Sequence, residues 1–300
     1  ACPPSSRSAR AGIRKASSAV HSPIAFLLRV RQDPDRHEGH EGHEGNEGHD
    51  GDAMKVVLLG ATKGMGRALA RRLAGRGDAL YLLGRDETDL AAAVVDLETR
   101  RAPRKETIAH GYCDLELPGG FGAALDGAIA ALGGLDTVVV TAGLFATQDR
   151  LEADPAFRRR LLEVDFVRTI EFCEAARERL LARGGGTLCV FGSVAGDRGR
   201  KPVVLYGAAK AGLAAYLEGL DHRFHAQGLR VITVKPGFVR TGMTAGLAEP
   251  PFAGEADEVA ARVVRAIDRG WPVVYAPPIW ALVMLAVRNL PRALMRRLGF

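Results

Sequence analysis

A tyrosine, a lysine and a serine in this chain are spaced as a proton-transfer group. Tyr206 and Lys210 lie four positions apart, so on a helix they share one face. Ser193 lies thirteen positions before Tyr206 and follows Thr187–Phe191, an apolar run that predicts a buried strand. A lysine ammonium stabilises a phenolate and lowers the pKa of the tyrosine. The phenol can then exchange a proton with a carbonyl or alcohol oxygen that the serine holds.

A glycine-rich turn follows the first predicted strand. The sequence GATKGMG spans residues 60–66 and leads directly into a helical pattern. In such a unit Gly60 permits a tight turn, Gly64 lets backbone N–H groups approach a pyrophosphate, and Gly66 allows close helix–strand packing. A glycine trio alone also fits a plain turn, and Tyr and Lys alone also fit a solvated helix face. Their joint occurrence favours a dinucleotide-dependent enzyme.

The residues around the second predicted strand favour NADP(H) over NAD(H). An acidic side chain at the end of this strand would bind the ribose 2′-hydroxyl of NAD, but Gly84 and Arg85 occupy the position. Lys63 adds a cation in the glycine turn, and two cations suit a 2′-phosphate. Asp86 is the opposing signal, and Arg85 alone also fits a surface charge without a ligand. Asp114 follows the third strand, where it can accept a hydrogen bond from the adenine amino group.

Strand-like and helical patterns alternate from residue 55 onwards. The strands are continuous apolar runs, which is typical of a parallel sheet with both faces buried. We expect strands at Lys55–Leu59, Ala79–Leu83, Thr107–Tyr112, Thr137–Thr141, Thr187–Phe191, Leu229–Val234 and Pro272–Tyr275. The longest helical pattern is Asp154–Ala182. The alternation predicts an α/β fold over residues 54–276, a doubly wound parallel seven-stranded Rossmann-type sheet with helices on both faces.

The composition is that of a globular protein, with 47% hydrophobic and 25% charged residues and a net charge of +6. The positive excess favours anionic ligands or an anionic membrane surface. No basic run with interleaved aromatics indicates a nucleic-acid partner, and no apolar run is long enough to span a bilayer. The four cysteines form no CxxC pair, which favours a reducing, cytoplasmic compartment and no disulfide framework.

Residues 1–53 differ from the rest of the chain. A segment without acids is followed by the low-complexity repeat HEGHEGHEGNEGHDGD. Neither part can bury enough apolar surface to offset chain ordering, so we expect a disordered tail. Its histidines can bind a metal loosely, or belong to a solvated tail or to translated upstream sequence. They are His37, His40, His43 and His49. We assign no metal site.

The motifs together resemble the short-chain dehydrogenase/reductase family over residues 54–300. They are GATKGMG, CDL at 113–115, TAG at 141–143, the Ser193/Tyr206/Lys210 set and KPGFVRT at 235–241. The resemblance implies that Tyr206 is the general acid, that Ser193 orients the substrate oxygen, and that Lys210 binds the nicotinamide ribose and tunes Tyr206. KPGFVRT would line the nicotinamide pocket, with Thr241 holding the carboxamide and phosphates. Members commonly form dimers and tetramers, so a homo-oligomer is expected.

The residues that we expect to bind NADP(H) combine these motifs. They are Gly60, Thr62, Lys63, Gly64, Met65, Gly66, Arg85, Asp114, Leu115, Ala142, Gly143, Tyr206, Lys210, Pro236, Gly237, Val239 and Thr241. Two residues depart from the family pattern. Thr141 replaces the first asparagine of the usual NAG, and Asp165 stands where an asparagine usually completes a proton relay with the lysine. We include Asp165 in the catalytic set, where its charge either disturbs the relay or keeps Lys210 more firmly charged.

The last third of the chain is similar to reductases that act on decaprenylphosphoryl keto-ribose. The similarity covers SVAGDRGRKPVVLYGAAKAGL, KPGFVRTGMTAGL and the ending VVYAPPIWALVMLAVRNLPRALMRRLGF. It implies reduction of a keto-sugar on a polyprenyl phosphate. We therefore expect an NADPH-dependent ketoreductase with a small-molecule or lipid-linked ketone substrate. The alternatives are a generic reductase of an acyl, steroid or small-molecule ketone, and a dinucleotide-binding regulator without catalysis, which only Asp165 favours.

Residues 277–300 form a distinct C-terminal pattern. Ile279–Val287 is apolar and is followed by Arg288, Arg292, Arg296 and Arg297. Such a segment can lie among lipid headgroups, so peripheral contact with the inner face of the membrane is one interpretation of this helical tail. Packing against the sheet or a second subunit is the alternative.

Three further cations lie between the serine and the tyrosine. They are Arg198, Arg200 and Lys201. They can bind a substrate phosphate, or they can belong to a solvated loop.

Overall fold

The computed structural model describes residues 53–101 and 106–299, all within the unit Gly51–Phe300. The expectations for residues 1–53, including the four histidines, therefore lie outside the described residues apart from Ala53. Within residues 53–101 and 106–299, no group of three or more His, Cys, Asp or Glu side chains is arranged to hold a metal ion.

Seven parallel strands form the central sheet, in the order β3-β2-β1-β4-β5-β6-β9. All pairs of neighbours in it are parallel. The nine strands of the described residues, including the short pair β7 and β8, are β1 Lys55–Leu59, β2 Ala79–Gly84, β3 Ile108–Tyr112, β4 Thr137–Val140, β5 Gly186–Phe191, β6 Leu229–Pro236, β7 Val239–Arg240, β8 Gly254–Glu255 and β9 Val273–Ala276. The expected strand positions are confirmed to within one or two residues at each end.

Successive residues of each central strand pack into opposite layers, as a pleated strand requires. In β1, Val56 and Leu58 belong to one hydrophobic core, and Val57 and Leu59 belong to the other. All four are at most 1% exposed. The continuous apolar runs of the sequence thus reflect burial on both faces of the sheet.

Helices cover both faces of the sheet, which confirms the doubly wound architecture. The helices are α1 Gly64–Arg76, α2 Glu87–Glu98, α3 Phe121–Leu132, α4 Gln148–Ala153, α5 Pro155–Leu162, α6 Thr169–Ala182, α7 Val204–Phe224, α8 Ala256–Arg269, α9 Ile279–Asn289 and α10 Arg292–Arg297. Helices α1, α2 and α8 contribute to the core that contains Val56, and α3, α6 and α7 contribute to the core that contains Val57.

The helix expected at Asp154–Ala182 is wound differently in its middle. Between α5 and α6, residues Glu163–Arg168 form a π-helical turn. The Thr169 hydroxyl donates to the Val164 carbonyl oxygen at 2.7 Å, five residues back, which is consistent with the wider turn. π-Helical turns are frequent at functional sites, and this one contains Asp165. Helix α4 lies just before this expected helix and was not predicted.

The C-terminal helices pack on the sheet domain. Met284 and Val287 of α9 are buried against Val194, which lies three positions after the end of β5. This packing corresponds to the alternative interpretation of the tail, on one face of α9. The other face carries Leu282 and Leu285, which are 65% and 61% exposed. None of the helices in the described ranges is both long and apolar enough to cross a membrane.

Candidate active site

Ser193 and Lys210 belong to two segments in contact, because the tight turn after β5 lies directly on α7. The Ser193 hydroxyl oxygen accepts a hydrogen bond from the Ala195 N–H at 3.1 Å and so caps the short 3-10 turn Val194–Gly196. A Cβ atom on Gly196 would lie 2.7 Å from the Lys210 carbonyl carbon. A Cβ atom on Gly207 would lie 2.9 Å from the Ala195 carbonyl oxygen. The two glycines therefore permit the contact that fixes the serine beside the helix.

Tyr206 lies on the first turn of α7, with its side chain at the edge of a cavity. It is 9% exposed. The Phe145 ring packs edge-on against its ring, with centroids 5.0 Å apart. The Lys210 Nζ lies 5.7 Å from the centroid of the tyrosine ring. Ser193 is close enough for a hydrogen bond between its hydroxyl and the phenol to affect the pKa of Tyr206.

Asp165 faces Lys210 in the interior. Its Oδ2 lies 3.6 Å from the Lys210 Nζ, and its Oδ1 accepts a hydrogen bond from the Leu144 N–H at 2.6 Å. Asp165 is fully buried and Lys210 is 5% exposed. A Cβ atom on Gly143 would lie 3.0 Å from Asp165 Oδ1 and 3.5 Å from Lys210 Nζ. The small residue expected at 143 thus leaves room for the ion pair.

Burial and charge act in opposite directions on these three groups. Burial raises the pKa of Tyr206, and the nearby Lys210 ammonium offsets this only in part. Burial alone would lower the pKa of Lys210, but Asp165 and Tyr206 together raise it above its ordinary value. Burial also raises the pKa of Asp165, against the attraction of Lys210. The expectation of a lowered tyrosine pKa is therefore correct for the effect of the lysine and wrong for the net direction, because burial outweighs it.

The loop between Ser193 and Tyr206 is anchored by a buried carboxylate. The two oxygens of Asp197 accept hydrogen bonds from Lys235 Nζ at 2.6 Å and from the Tyr275 hydroxyl at 2.7 Å. The Asp197 side chain is 3% exposed. The anchor joins the loop to β6 and β9, so each oxygen of Asp197 already has a donor within the fold.

Two of the three cations in this loop bind the C-terminal helices. Arg198 donates to the carbonyl oxygens of Arg288, at 3.3 Å, and Leu290, at 2.8 Å. Lys201 donates to the carbonyl oxygen of Arg296 at 2.8 Å. These carbonyls lie at or next to the ends of α9 and α10, where helical carbonyls lack partners. Arg200 instead lines the cavity that contains Tyr206.

The glycine turn has the geometry that dinucleotide binding requires. Gly60 has a φ of 95°, which favours glycine, and a Cβ atom on Gly66 would lie 2.2 Å from the Gly60 carbonyl oxygen. Lys63 precedes α1 and provides no side-chain cap for it, so the first N–H groups of the helix lack a side-chain partner. Thr141 donates to the carbonyl oxygens of Leu59 and Gly60, at 3.1 and 2.9 Å. The threonine that replaces the usual asparagine therefore holds the turn.

The expected cofactor residues line two cavities. Eight of them line a cavity of about 300 Å³ at the carboxyl ends of β1, β2, β3 and β4. They are Gly60, Thr62, Lys63, Arg85, Asp114, Leu115, Ala142 and Gly143. Six others line a cavity of about 490 Å³, together with Ser193: Met65, Tyr206, Pro236, Gly237, Val239 and Thr241. Gly64, Gly66, Lys210 and Asp165 line neither of these two cavities. Gly64 lies beside Thr241, because a Cβ atom on it would be 3.5 Å from the threonine side chain.

Both cations expected at the 2′-phosphate position have carboxylate partners. Lys63 Nζ lies 2.7 Å from Asp89 Oδ2, and Arg85 pairs with Glu116. Glu116 also pairs with Arg160 at 2.6 Å. Asp86, the opposing signal in the sequence, caps α2 by accepting from the Asp89 N–H at 2.9 Å. Sequence reasoning missed Asp89 and Glu116, which line the same cavity as the two cations.

The larger cavity is mainly apolar, and sequence reasoning missed much of its wall. Helix α9 supplies Trp280, Val283, Met284 and Val287, and the segment after β7 supplies Met243, Leu247 and Phe252. A Cβ atom on Gly237 would lie 2.1 Å from Trp280 Nε1, so the tail lies directly against the KPGFVRT segment. The apolar run at 279–287 was visible in the sequence, but its position beside the tyrosine is set by tertiary packing.

The chain matches known proteins over most of its length. The family model described as short chain dehydrogenase matches residues 54–251. An uncharacterized oxidoreductase of Mycobacterium tuberculosis is 35% identical over 248 residues, which cover 82% of this chain and 97% of the relative. An uncharacterized oxidoreductase of Streptomyces coelicolor is also 35% identical, over 256 residues that cover 83% of this chain and 97% of the relative.

A solved structure agrees with the sequence matches. A short-chain dehydrogenase from Sphingobium yanoikuyae in complex with NADPH superposes with a TM-score of 0.68 at 25% identity, covering 82% of this chain and 96% of that chain. The sequence motifs, the strand order and the family match point to one assignment. The chain belongs to the short-chain dehydrogenase family and is an oxidoreductase.

Proposed function

We propose that this protein is an NADPH-dependent ketoreductase. The observation that carries the proposal is a buried tyrosine with a raised pKa, beside Ser193, at the edge of an apolar cavity. A phenol with a raised pKa keeps its proton at neutral pH, which suits a group that donates a proton to a reduced carbonyl oxygen. The resemblance to the family assigns the same residue as general acid.

The residues around the glycine turn fit a nicotinamide dinucleotide. The uncapped N-terminus of α1 and the close approach of Gly66 to Gly60 suit a pyrophosphate. When bound, the cofactor supplies the hydride. Lys63 and Arg85 support NADP(H) as the form used, because each can exchange its carboxylate partner for a 2′-phosphate, and because the Sphingobium relative is in complex with NADPH.

The roles of the chain's own residues follow from their contacts. Ser193 would hold the carbonyl oxygen of the substrate, and Tyr206 would pass its proton to that oxygen as negative charge develops on it. The positive charge of Lys210 would stabilise the phenolate that remains. Asp165 would keep Lys210 charged inside the protein, since it raises the pKa of that lysine.

For the substrate, we propose a ketone with an extended apolar body, and a keto-sugar on a polyprenyl phosphate as its specific form. The apolar walls from α9 and from residues 243–252 support the apolar body. The similarity of the last third to reductases of decaprenylphosphoryl keto-ribose supports the keto-sugar. The generic alternative, reduction of an acyl, steroid or small-molecule ketone, fits the same walls.

The exposed face of α9 supports peripheral contact with an anionic membrane. Leu282 and Leu285 lie one helical turn apart and are both exposed, and the exposed residues Arg292, Arg296 and Arg297 follow in sequence. Apolar side chains next to cations are typical of surfaces that enter lipid headgroups. A lipid-linked substrate would be presented at such a surface. The competing explanation is that this face of α9 contacts a second copy of the chain.

The function is tested by following NADPH oxidation with a panel of ketones. The panel pairs polyprenyl-phosphate-linked keto-pentose with soluble keto-sugars, 3-oxoacyl esters and steroid ketones. Turnover of any of them with NADPH supports a ketoreductase, and preference for the lipid-linked sugar supports the specific form. NADPH binding without turnover of any ketone would instead favour a dinucleotide-binding regulator.

A further inference from the structure

Arg200 is the one charged residue among the described residues that line the cavity of about 490 Å³. Its Nε is buried and has no hydrogen-bond partner in the described part of the chain. No salt bridge within residues 53–101 and 106–299 involves its guanidinium, and its neighbours Arg198 and Lys201 donate to the C-terminal helices instead. None of its donors takes part in the proposed proton transfer.

The carboxylate of Asp197, close in sequence, forms no ion pair with this cation in the described part of the chain. Asp197 lies three positions earlier, but its two oxygens already accept from Lys235 and Tyr275. Burial lowers the pKa of Arg200, and the charges of Tyr206 and Asp197 offset this only in part. A half-buried guanidinium among apolar side chains is costly unless an anion pairs with it. The arrangement is therefore that of an incomplete ion pair.

We propose that Arg200 binds an anionic group of the substrate, and this proposal rests on the ketoreductase function. The anionic group is a carboxylate or a phosphate ester, and it is attached to an apolar body that fills the cavity. The planar guanidinium presents donors that match the oxygens of either group in a bidentate manner. Tyr206 and Arg200 line the same cavity, so the acid that protonates the ketone and the cation that holds the anion act on one ligand. Arg200 is then a residue for substrate selection, separate from proton transfer.

The experiment uses three compounds with the same isoprenoid body. Geranyl phosphate, geranic acid and geraniol carry a phosphate, a carboxylate and a neutral hydroxyl. Their binding to the full chain is measured by quenching of intrinsic fluorescence, since Trp280 lines the cavity. We expect both anions, or one of them, to bind about tenfold to a hundredfold more tightly than geraniol, as for hydrogen bonds to charged groups. The anion that binds more tightly shows whether Arg200 prefers a phosphate or a carboxylate.

The matched variants are Arg200→Gln, Arg200→Lys and the control Arg159→Gln. Arg159 is exposed on α5 and lines neither cavity. Arg200→Gln should remove the preference for the anions and leave the affinity for geraniol unchanged. Arg200→Lys should retain part of it, and Arg159→Gln should retain all of it. Equal affinity of the wild-type chain for the three compounds, or binding of none of them, overturns the proposal.

A second measurement separates this proposal from the proposed function. The rate of NADPH oxidation is compared for a keto acid and its methyl ester. If Arg200→Gln lowers kcat/KM for the acid alone, Arg200 selects the anion. If it lowers kcat/KM for both equally and shifts the pH profile, Arg200 acts on Tyr206 and the proposal fails, while the ketoreductase function stands. If the wild-type chain turns over neither these two ketones nor any ketone of the panel above, the proposed function fails, and the fluorescence titration still decides the role of Arg200.

Discussion

Asp165 Oδ2 lies 3.6 Å from Lys210 Nζ, and both side chains are buried. The distance exceeds that of a hydrogen bond, so the carboxylate acts on the lysine mainly through its charge. The charge also raises the pKa of Tyr206, in the same direction as burial. An asparagine in this position would keep the hydrogen bond from the Leu144 N–H and remove the charge.

We predict that Asp165→Asn shifts the basic limb of the pH–rate profile to lower pH. Ketone reduction requires the protonated phenol, so the rate falls as the pH rises through the pKa of Tyr206. Asp165 raises that pKa, and its replacement by a neutral amide must lower it. The measurement is kcat/KM against pH for both proteins. The control is Asp149→Asn, at an exposed position on α4. A profile unchanged or moved to higher pH would contradict the prediction.

Tyr206→Phe should abolish most of the turnover and leave cofactor binding intact. The substitution removes only the phenolic hydroxyl, and the ring keeps its edge-on contact with Phe145. General acid catalysis contributes about 10²–10⁴-fold, so a loss in kcat of that order is expected. NADPH binding is measured by fluorescence titration of both proteins. Reduction by the variant at a rate near that of the wild type would remove Tyr206 from the mechanism.

Gly66→Ala and Gly75→Ala, both on α1, test the role of the glycine turn in cofactor binding. A Cβ atom at 66 would lie 2.2 Å from the Gly60 carbonyl oxygen, whereas at 75 its nearest neighbour, the Arg100 carbonyl oxygen, is 3.9 Å away. Gly66→Ala must displace the turn, so we expect destabilisation by about 1–3 kcal/mol and a large loss of NADPH affinity. Gly75→Ala should stabilise the chain by about 0.5–1 kcal/mol with unchanged affinity. Denaturant unfolding and cofactor titration check both, and equal effects of the two variants would contradict the assigned role of the turn.

Arg85→Gln should weaken the binding of NADPH and leave that of NADH unchanged. Arg85 is half-exposed, and its pair with Glu116 contributes little to stability at such a position. A 2′-phosphate offers it a stronger, bidentate partner. We expect a loss in NADPH affinity of about tenfold, measured by titration with each cofactor. Arg159→Gln serves as the control. Equal weakening of NADPH and NADH would contradict the preference for NADP(H).

The features that the sequence predicts are those that local patterns determine. The apolar runs locate the strands because both faces of each central strand are buried, as Val56 and Val57 illustrate. The glycine turn is predictable because Gly60 needs a positive φ within a short segment. The serine, tyrosine and lysine follow the fixed offset between β5 and α7.

The features that the sequence does not predict depend on residues far apart along the chain. Glu116 neutralises Arg85 across 31 positions, and Arg198 holds the tail across 92 positions. The apolar pattern of α9 is the same whether it faces lipid, a partner or the cavity. Only the packing of Met284 and Val287 near Val194 shows that one face lines the cavity of about 490 Å³. Asp165, in the π-helical turn, likewise meets its partner, the Leu144 N–H, across 21 positions.

The exposed face of α9 gives the last prediction, which concerns the membrane. The double substitution Leu282→Gln/Leu285→Gln should reduce flotation of the chain with liposomes that contain anionic lipid. Both leucines are more than half exposed, so the change should leave the fold intact. The control is Val95→Gln, since Val95 is 63% exposed on α2. Raising the salt concentration should also reduce flotation, because salt screens the arginines of α10 from the lipid headgroups. If the double variant floats as well as the wild type, the membrane proposal is wrong. The proposal is also wrong if the main effect of the double substitution is a smaller molecular mass in solution without lipid, since the exposed face then contacts another copy of the chain.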